Sequence, residues 1–152
     1  MGKSNSIQIM ASVLISVLLY VSLSKLLNYD LFVHQLHTHP YLKAYAGIIA
    51  WAVPASECML AVCLILPATR IYGFYGALGL FTLFTAYLAL MLLTEDDLPC
   101  SCGGVISSLS WQQHLVFNGL LIAISLAGSL MEQKTKHEEH EKAERGERAL
   151  WV

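Results

Sequence analysis

The sequence predicts an all-α membrane protein: a polytopic bundle of four transmembrane helices. Of its 152 residues only 13% are charged and 56% are hydrophobic, which is not the composition of a soluble domain. Four apolar runs are each close to the roughly 20 residues that cross a bilayer core. They cover residues 7–27, 44–66, 71–93 and 111–131. Too little chain is left for an independent soluble domain, so most cytosolic enzymes are excluded.

The distribution of basic residues predicts that both termini lie in the cytoplasm. Lysine and arginine near the ends of membrane helices favour the cytoplasmic side. With four spans, the N-terminus, the second loop and the tail of residues 132–152 share one side, which holds seven basic residues against two on the other. The first loop, residues 28–43, and the third loop, residues 94–110, are then expected outside. The tail mixes both signs of charge, so the partners expected are lipid and protein and not nucleic acid.

The third loop carries the chemistry: Cys100 and Cys102 stand directly before Gly103 and Gly104. In an oxidising compartment such thiols pair, bind a metal or exchange with another protein. A bridge between residues two apart requires a strained loop, and strain makes a disulfide easier to reduce. The two glycines allow that geometry, whereas the acidic residues at 95–97 disfavour the thiolate. The pattern favours a redox pair, with a structural bridge and a soft-metal site as alternatives.

Glu57 is the only acidic residue inside any predicted span. A carboxylate in the membrane is costly, faces the bundle interior and indicates a functional site. We consider two roles: a proton carrier beside a redox site, or a buried polar group that bonds across helices or to a carbonyl freed by Pro54. Proline lacks a backbone donor, so an inserted polar partner is expected near Ala50. Cys58 and Cys63 point to different sides of the helix and are interpreted as small hydrophobic residues.

Histidines of the first loop offer a weaker hypothesis. His34, His37 and His39 share the outer side with the cysteine pair, and together they form a loose pattern for zinc or copper. Interfacial hydrogen bonding is the favoured role for these imidazoles. At the start of the last span, Trp111 is expected to anchor the membrane interface and His114 to contact the cysteine loop.

Glycines recur at every third position in the third span, at Gly73, Gly76 and Gly79, among many aromatic residues. Small residues let a neighbouring helix approach closely, so the pattern favours a tight seam between helices. The alternative is an aromatic pocket for a quinone or a lipid.

Together these features resemble the MauE family, methylamine utilisation protein E, within the wider DoxX-like four-helix membrane proteins. The resemblance rests on Pro54-x-x-Glu57, on the glycine-rich and aromatic third span, on Cys100-Ser101-Cys102-Gly103-Gly104, and on a last span with Asn118. It covers roughly residues 6–130. The chain departs from the family pattern at Gly103, where a bulky aromatic residue is usual, and in its charged tail.

The resemblance implies a multi-pass protein of the bacterial inner membrane whose cysteine loop faces the periplasm. It implies a role in forming or isomerising disulfides with a periplasmic thioredoxin-like or exported partner. Cys100 and Cys102 match the family's cysteine pair, and Glu57 its membrane glutamate. Our main hypothesis is that a partner's dithiol reduces the Cys100–Cys102 bridge and that electrons pass to a quinone while Glu57 handles a proton. The alternatives are a non-catalytic subunit or adaptor of a larger membrane complex, and a metal-handling membrane protein.

Overall fold

The computed structural model describes residues 2–38, 42–94 and 111–149, and these fold into helices joined by short turns. The helices are α1 (Gly2–Leu27), α2 (Tyr29–Thr38), α3 (Ala46–Ile65), α4 (Arg70–Thr94) and α5 (Trp111–Ala149), with a 3-10 turn at Lys43–Tyr45. The helices α1, α3, α4 and α5 each contain a stretch long and apolar enough to cross a membrane. The predicted all-α bundle of four membrane-spanning helices is thereby confirmed.

The four long helices form a closed ring, in which α1 packs against α3 and α5, and α4 packs against the same two helices. Gly73 on α4 lies beside Leu64 on α3, and Gly128 on α5 lies beside Phe74 on α4, so both pairs run antiparallel. Thr94 and Trp111, which flank residues 95–110, therefore lie at the end of the bundle that holds Leu27 and Ala46. We call this the α2 end, and the opposite end the turn end.

Tight packing dominates the half of the bundle near the turn end. Phe74 is fully buried and fills the space left by Gly128. Because lipid is as apolar as the core, helices in a membrane associate through such close van der Waals contacts. The buried apolar residues of this core are Ile7, Ala11, Leu14, Leu18, Ala61, Leu64, Phe74, Ala77, Phe81 and Leu121.

The predicted glycine seam is present over two of its three positions. A Cβ atom at Gly73 would press on Leu64, and one at Gly76 would overlap Leu60, so both glycines allow α4 to approach α3. Gly79 has no atoms within 4 Å of its Cβ position and does not contribute to the seam. The period of three fails there because an α-helix has 3.6 residues per turn, and successive members rotate away from the contact face.

The first loop contains a helix, α2, which the sequence pattern did not predict. Backbone hydrogen bonding runs on from α1 through Asn28, whose N–H donates to Ser24 at 3.1 Å and whose carbonyl accepts from Phe32 at 2.9 Å. Leu36 is buried against Ala46 and Ala50 of α3. Helix α2 thus follows directly on α1 and packs against the first turns of α3.

The turn end joins α3, α4 and α5 through polar contacts. The Thr69 hydroxyl donates to the Cys63 carbonyl at 3.1 Å, and Arg70 Nε donates to the Leu64 carbonyl at 3.3 Å, which satisfies two carbonyls at the end of α3. From α5, Glu132 lies 4.0 Å from Arg70, and Lys136 donates to the Ala68 carbonyl at 3.3 Å. Helix α5 therefore continues past residue 131 and is fastened to the turn as it leaves the bundle.

The contact between Gly128 and Phe74 gives a test of the packing. The substitution Gly128→Ala should lower the free energy of unfolding by about 1–3 kcal/mol, because the new methyl group overlaps a buried ring that has no room to move. Gly119→Ala on the same helix is the matched control, since nothing lies within 4 Å of its Cβ position. Denaturation in detergent, followed by circular dichroism, measures both. Equal stability of the two variants would contradict this account of the packing.

Candidate functional site

Glu57 lies inside the bundle and is paired with a lysine from another helix. Its side chain on α3 is 1% exposed, and its Oε1 atom accepts a hydrogen bond from Nζ of Lys25 on α1. The Lys25 side chain is 11% exposed, so the pair is largely withdrawn from the surroundings. Removing charges from water is expensive, and a buried ion pair persists only where each charge compensates the other.

Sequence reasoning predicted an interior position for Glu57 but did not identify Lys25 as its partner. Lys25 stands near the end of the first span, and a lysine at such a position commonly extends its ammonium group to the membrane interface. A signal was nevertheless present, since a single acidic residue in one span and a single basic residue in another form the simplest neutral pair.

One turn away along both helices, Ser22 continues the polar contact between α1 and α3. Its hydroxyl donates to the Pro54 carbonyl at 3.0 Å and lies 3.2 Å from the Cys58 sulfur. Since the single hydroxyl proton goes to the carbonyl, the Cys58 thiol is the donor to Ser22. The polar partner expected near Pro54 is Ser22, and it bonds the carbonyl of the proline and not that of Ala50.

Aromatic rings from two further helices surround the lysine. Lys25 Nζ lies 5.9 Å from the ring centroid of Phe32 on α2 and 5.4 Å from that of Phe84 on α4. Both distances are within the range of a cation–π interaction, which strengthens when water is excluded. Lys25, Glu57, Phe32 and Phe84 come from four different helices, and we refer to these four residues as the lysine cluster.

One buried oxygen atom of the lysine cluster, Glu57 Oε2, lacks a hydrogen-bond partner among the described residues. Native proteins leave few buried polar atoms in this state, and each one needs an explanation such as a bound water, a proton or a functional role. The cluster thus combines an ammonium donor, a carboxylate acceptor and two aromatic faces within an apolar bundle.

The other predicted site residues are distributed as follows. Cys100, Cys102, Gly103 and Gly104 lie outside the described residues, as does His39. His34 and His37 are exposed on α2, one turn apart. Trp111 is the first residue of α5, and His114 is half-buried in its first turn. Within the described ranges, no group of three His, Cys, Asp or Glu residues is arranged to hold a metal ion.

Residues 3–131 match the family described as methylamine utilisation protein MauE. This chain belongs to the MauE family. The matched region includes all of the lysine cluster and the Cys-x-Cys pair, and it ends directly before the charged tail. Comparisons with curated proteins and with solved structures gave no match. The protein is accordingly a multi-pass membrane protein of the MauE family.

The buried ion pair predicts a non-additive pair of substitutions. Lys25→Met should lower the free energy of unfolding by about 3–5 kcal/mol, because Glu57 is left without its counter-charge. The double variant Lys25→Met/Glu57→Met should recover most of that loss, since a buried ion pair can be replaced by apolar side chains at little cost. Unfolding of each variant in detergent gives the coupling energy. Additive losses would show that the two side chains do not depend on each other.

The Ser22 contact predicts a smaller effect. Ser22→Ala should cost about 1–2 kcal/mol, because it removes two interactions and leaves the Cys58 thiol without an acceptor. Ser16→Ala is the control on the same helix, since the exposed Ser16 hydroxyl bonds only to the Ser12 carbonyl of its own turn. Thermal unfolding of the two variants distinguishes them, and similar midpoints would argue against a role for Ser22 in joining α1 to α3.

Proposed function

We propose that this MauE-family protein is a thiol–disulfide exchange protein of the bacterial inner membrane. The observation that carries the proposal is the placement of the Cys-x-Cys-Gly-Gly sequence. It lies within the matched family region, between two helix ends, Thr94 and Trp111, that belong to the same end of the bundle as the lysine cluster. A buried charged pair at the end of the bundle to which the dithiol is connected fits a dithiol that exchanges electrons and protons with the membrane.

The proposed reaction is exchange between two dithiols. A thiolate of the partner attacks one sulfur of the Cys100–Cys102 disulfide and forms a mixed disulfide, which the second partner thiol then resolves. The partner leaves with a new disulfide, and the cysteine pair gains two electrons and two protons. A two-electron acceptor in the membrane then restores the bridge. The partner expected is a thioredoxin-like domain or an exported protein with free thiols.

The charges of the α2 end support a periplasmic position for the cysteine segment. Lys25 is neutralised by Glu57 inside the bundle, so Lys43 is the remaining basic residue in or beside the two loops of that end. The other end and the tail carry the other seven lysine and arginine residues. This asymmetry agrees with termini in the cytoplasm, because basic loops remain on that side.

The first experiment measures the redox state of the pair. In full-length protein with Cys58→Ser and Cys63→Ser, alkylation and mass spectrometry with and without reduction should show a Cys100–Cys102 bridge. Titration against glutathione should place its potential well above about −300 mV, the region of exchangeable bridges. In cells, a membrane-impermeant maleimide added outside should label the reduced pair.

Cys100→Ser is the control, and it should abolish both the bridge and the oxidation of a thioredoxin-like test partner. Two results would contradict the proposal: thiols that stay free at neutral pH, or a bridge that resists reduction below about −300 mV. A stable bridge would favour a structural adaptor. Stoichiometric zinc or copper that is lost with His34→Ala/His37→Ala would favour metal handling.

A further inference from the structure

We propose that the lysine cluster binds the ring of a membrane quinone, with a ring carbonyl accepting a hydrogen bond from Lys25 Nζ. The inference rests on the proposed function for its source of electrons, but the binding site stands on the geometry of the cluster alone. The quinone would be the two-electron acceptor that the proposed thiol chemistry requires, and its binding site would lie among α1, α2, α3 and α4.

The lysine has the surroundings of a ligand-binding donor. Its ammonium group is paired with the buried Glu57, yet 11% of the lysine side chain remains exposed. The ring centroids of Phe32 and Phe84 lie 5.9 and 5.4 Å from its Nζ atom, and both phenylalanines are half-buried, so the cluster reaches the surface of the bundle. An ammonium ion has three N–H donors, and Glu57 Oε1 takes one of them.

The chemistry of these groups selects a flat, uncharged molecule with carbonyl acceptors. The pair of Lys25 and Glu57 is neutral as a whole, so a charged ligand would bring an uncompensated charge into the bilayer. An aromatic or quinonoid ring stacks against phenylalanine faces, and a carbonyl oxygen accepts a charge-assisted hydrogen bond from an ammonium group. A ligand of this kind must also dissolve in lipid, because half-buried residues between membrane helices are reached from the hydrocarbon phase.

The electron balance closes without any other reactant. Oxidation of the Cys100 and Cys102 thiols to a disulfide releases two electrons and two protons. Reduction of a quinone to a quinol consumes two of each. Lys25 can pass its proton to the oxygen that it bonds, and a proton released by the thiols restores the ammonium. Glu57 acts as a positioning residue in this scheme, since it keeps the ammonium in place and balances its charge.

The test uses ubiquinone-1, a short-chain benzoquinone, with the purified full-length protein in detergent. Equilibrium dialysis should show saturable binding at one site per chain. The double variant Lys25→Met/Glu57→Met avoids an unpaired buried charge, and it should weaken binding about tenfold or more through loss of a charge-assisted hydrogen bond. Phe84→Leu should weaken it severalfold, and Lys25→Arg should retain most of the affinity. Lys43→Gln, at an exposed lysine of the same end, is the matched control and should leave binding unchanged.

Two results would overturn the inference: no saturable binding to the wild-type protein, or unchanged binding to a folded Lys25→Met/Glu57→Met variant. Dithiothreitol oxidation with ubiquinone-1, followed by the quinone absorbance, separates this failure from failure of the proposed function. A cysteine pair that exchanges with glutathione while quinone does not bind would reject the site and keep the thiol function. Binding of quinone by a protein whose cysteines do not exchange with glutathione would keep the quinone site and reject the thiol function.

Discussion

A charge in the hydrocarbon core has no water to solvate it, and this constraint fixes the relation between α1 and α3. Glu57 is almost completely buried, so Lys25 must stand at the one height and rotation of α1 that brings its ammonium to the carboxylate. Ser22, one turn earlier on α1, then faces Pro54 and Cys58. A slide or rotation of either helix would break the ion pair and both hydrogen bonds together.

The two halves of the bundle are held by different forces. Near the turn end, glycines and small residues bring the helices close, and the contacts are those of van der Waals packing around Phe74. Near the α2 end, the contacts between α1 and α3 are ionic and hydrogen-bonded, and Phe32 and Phe84 bring α2 and α4 to the same point. Close apolar packing opposes any sliding of one helix along another. The ion pair and hydrogen bonds of the polar cluster, in contrast, form in only one relative position of the helices. The bundle therefore has a tightly packed turn end and an α2 end whose helix contacts depend on charge.

Much of the fold follows from the sequence, because the length of an apolar run is itself the physical requirement for crossing a bilayer. The same holds for Glu57, since a lone carboxylate in a span has nowhere to lie but the interior. The identity of its partner did not follow, because Lys25 satisfies two rules equally well: a lysine near a helix end can extend to the interface or turn inward to an acid. Tertiary contact decides between them.

Helix α2 and the glycine seam show the same limit. The sequence placed the first loop outside the membrane, but only the burial of Leu36 against Ala46 and Ala50 explains why most of that loop is helical. Gly79 continues the sequence pattern of Gly73 and Gly76, yet it faces open space. The spacing of glycines along a sequence does not determine over what length two helices remain in contact. The position of Thr94 and Trp111, the helix ends that flank residues 95–110, follows from the order of the spans, since four antiparallel spans bring these two ends to the same end of the bundle.

The length of α5 has a mechanical consequence. Its 39 residues form one helix from Trp111 to Ala149, a rod of about 58 Å at 1.5 Å per residue, nearly twice the thickness of a hydrocarbon core. The rod starts at the α2 end, and at the turn end its Glu132 and Lys136 contact Arg70 and Ala68. Between these two points the helix packs along α4 and α1 through the depth of the bundle. The segment beyond Lys136 is therefore a stiff arm of about 20 Å that carries charged side chains away from the bundle.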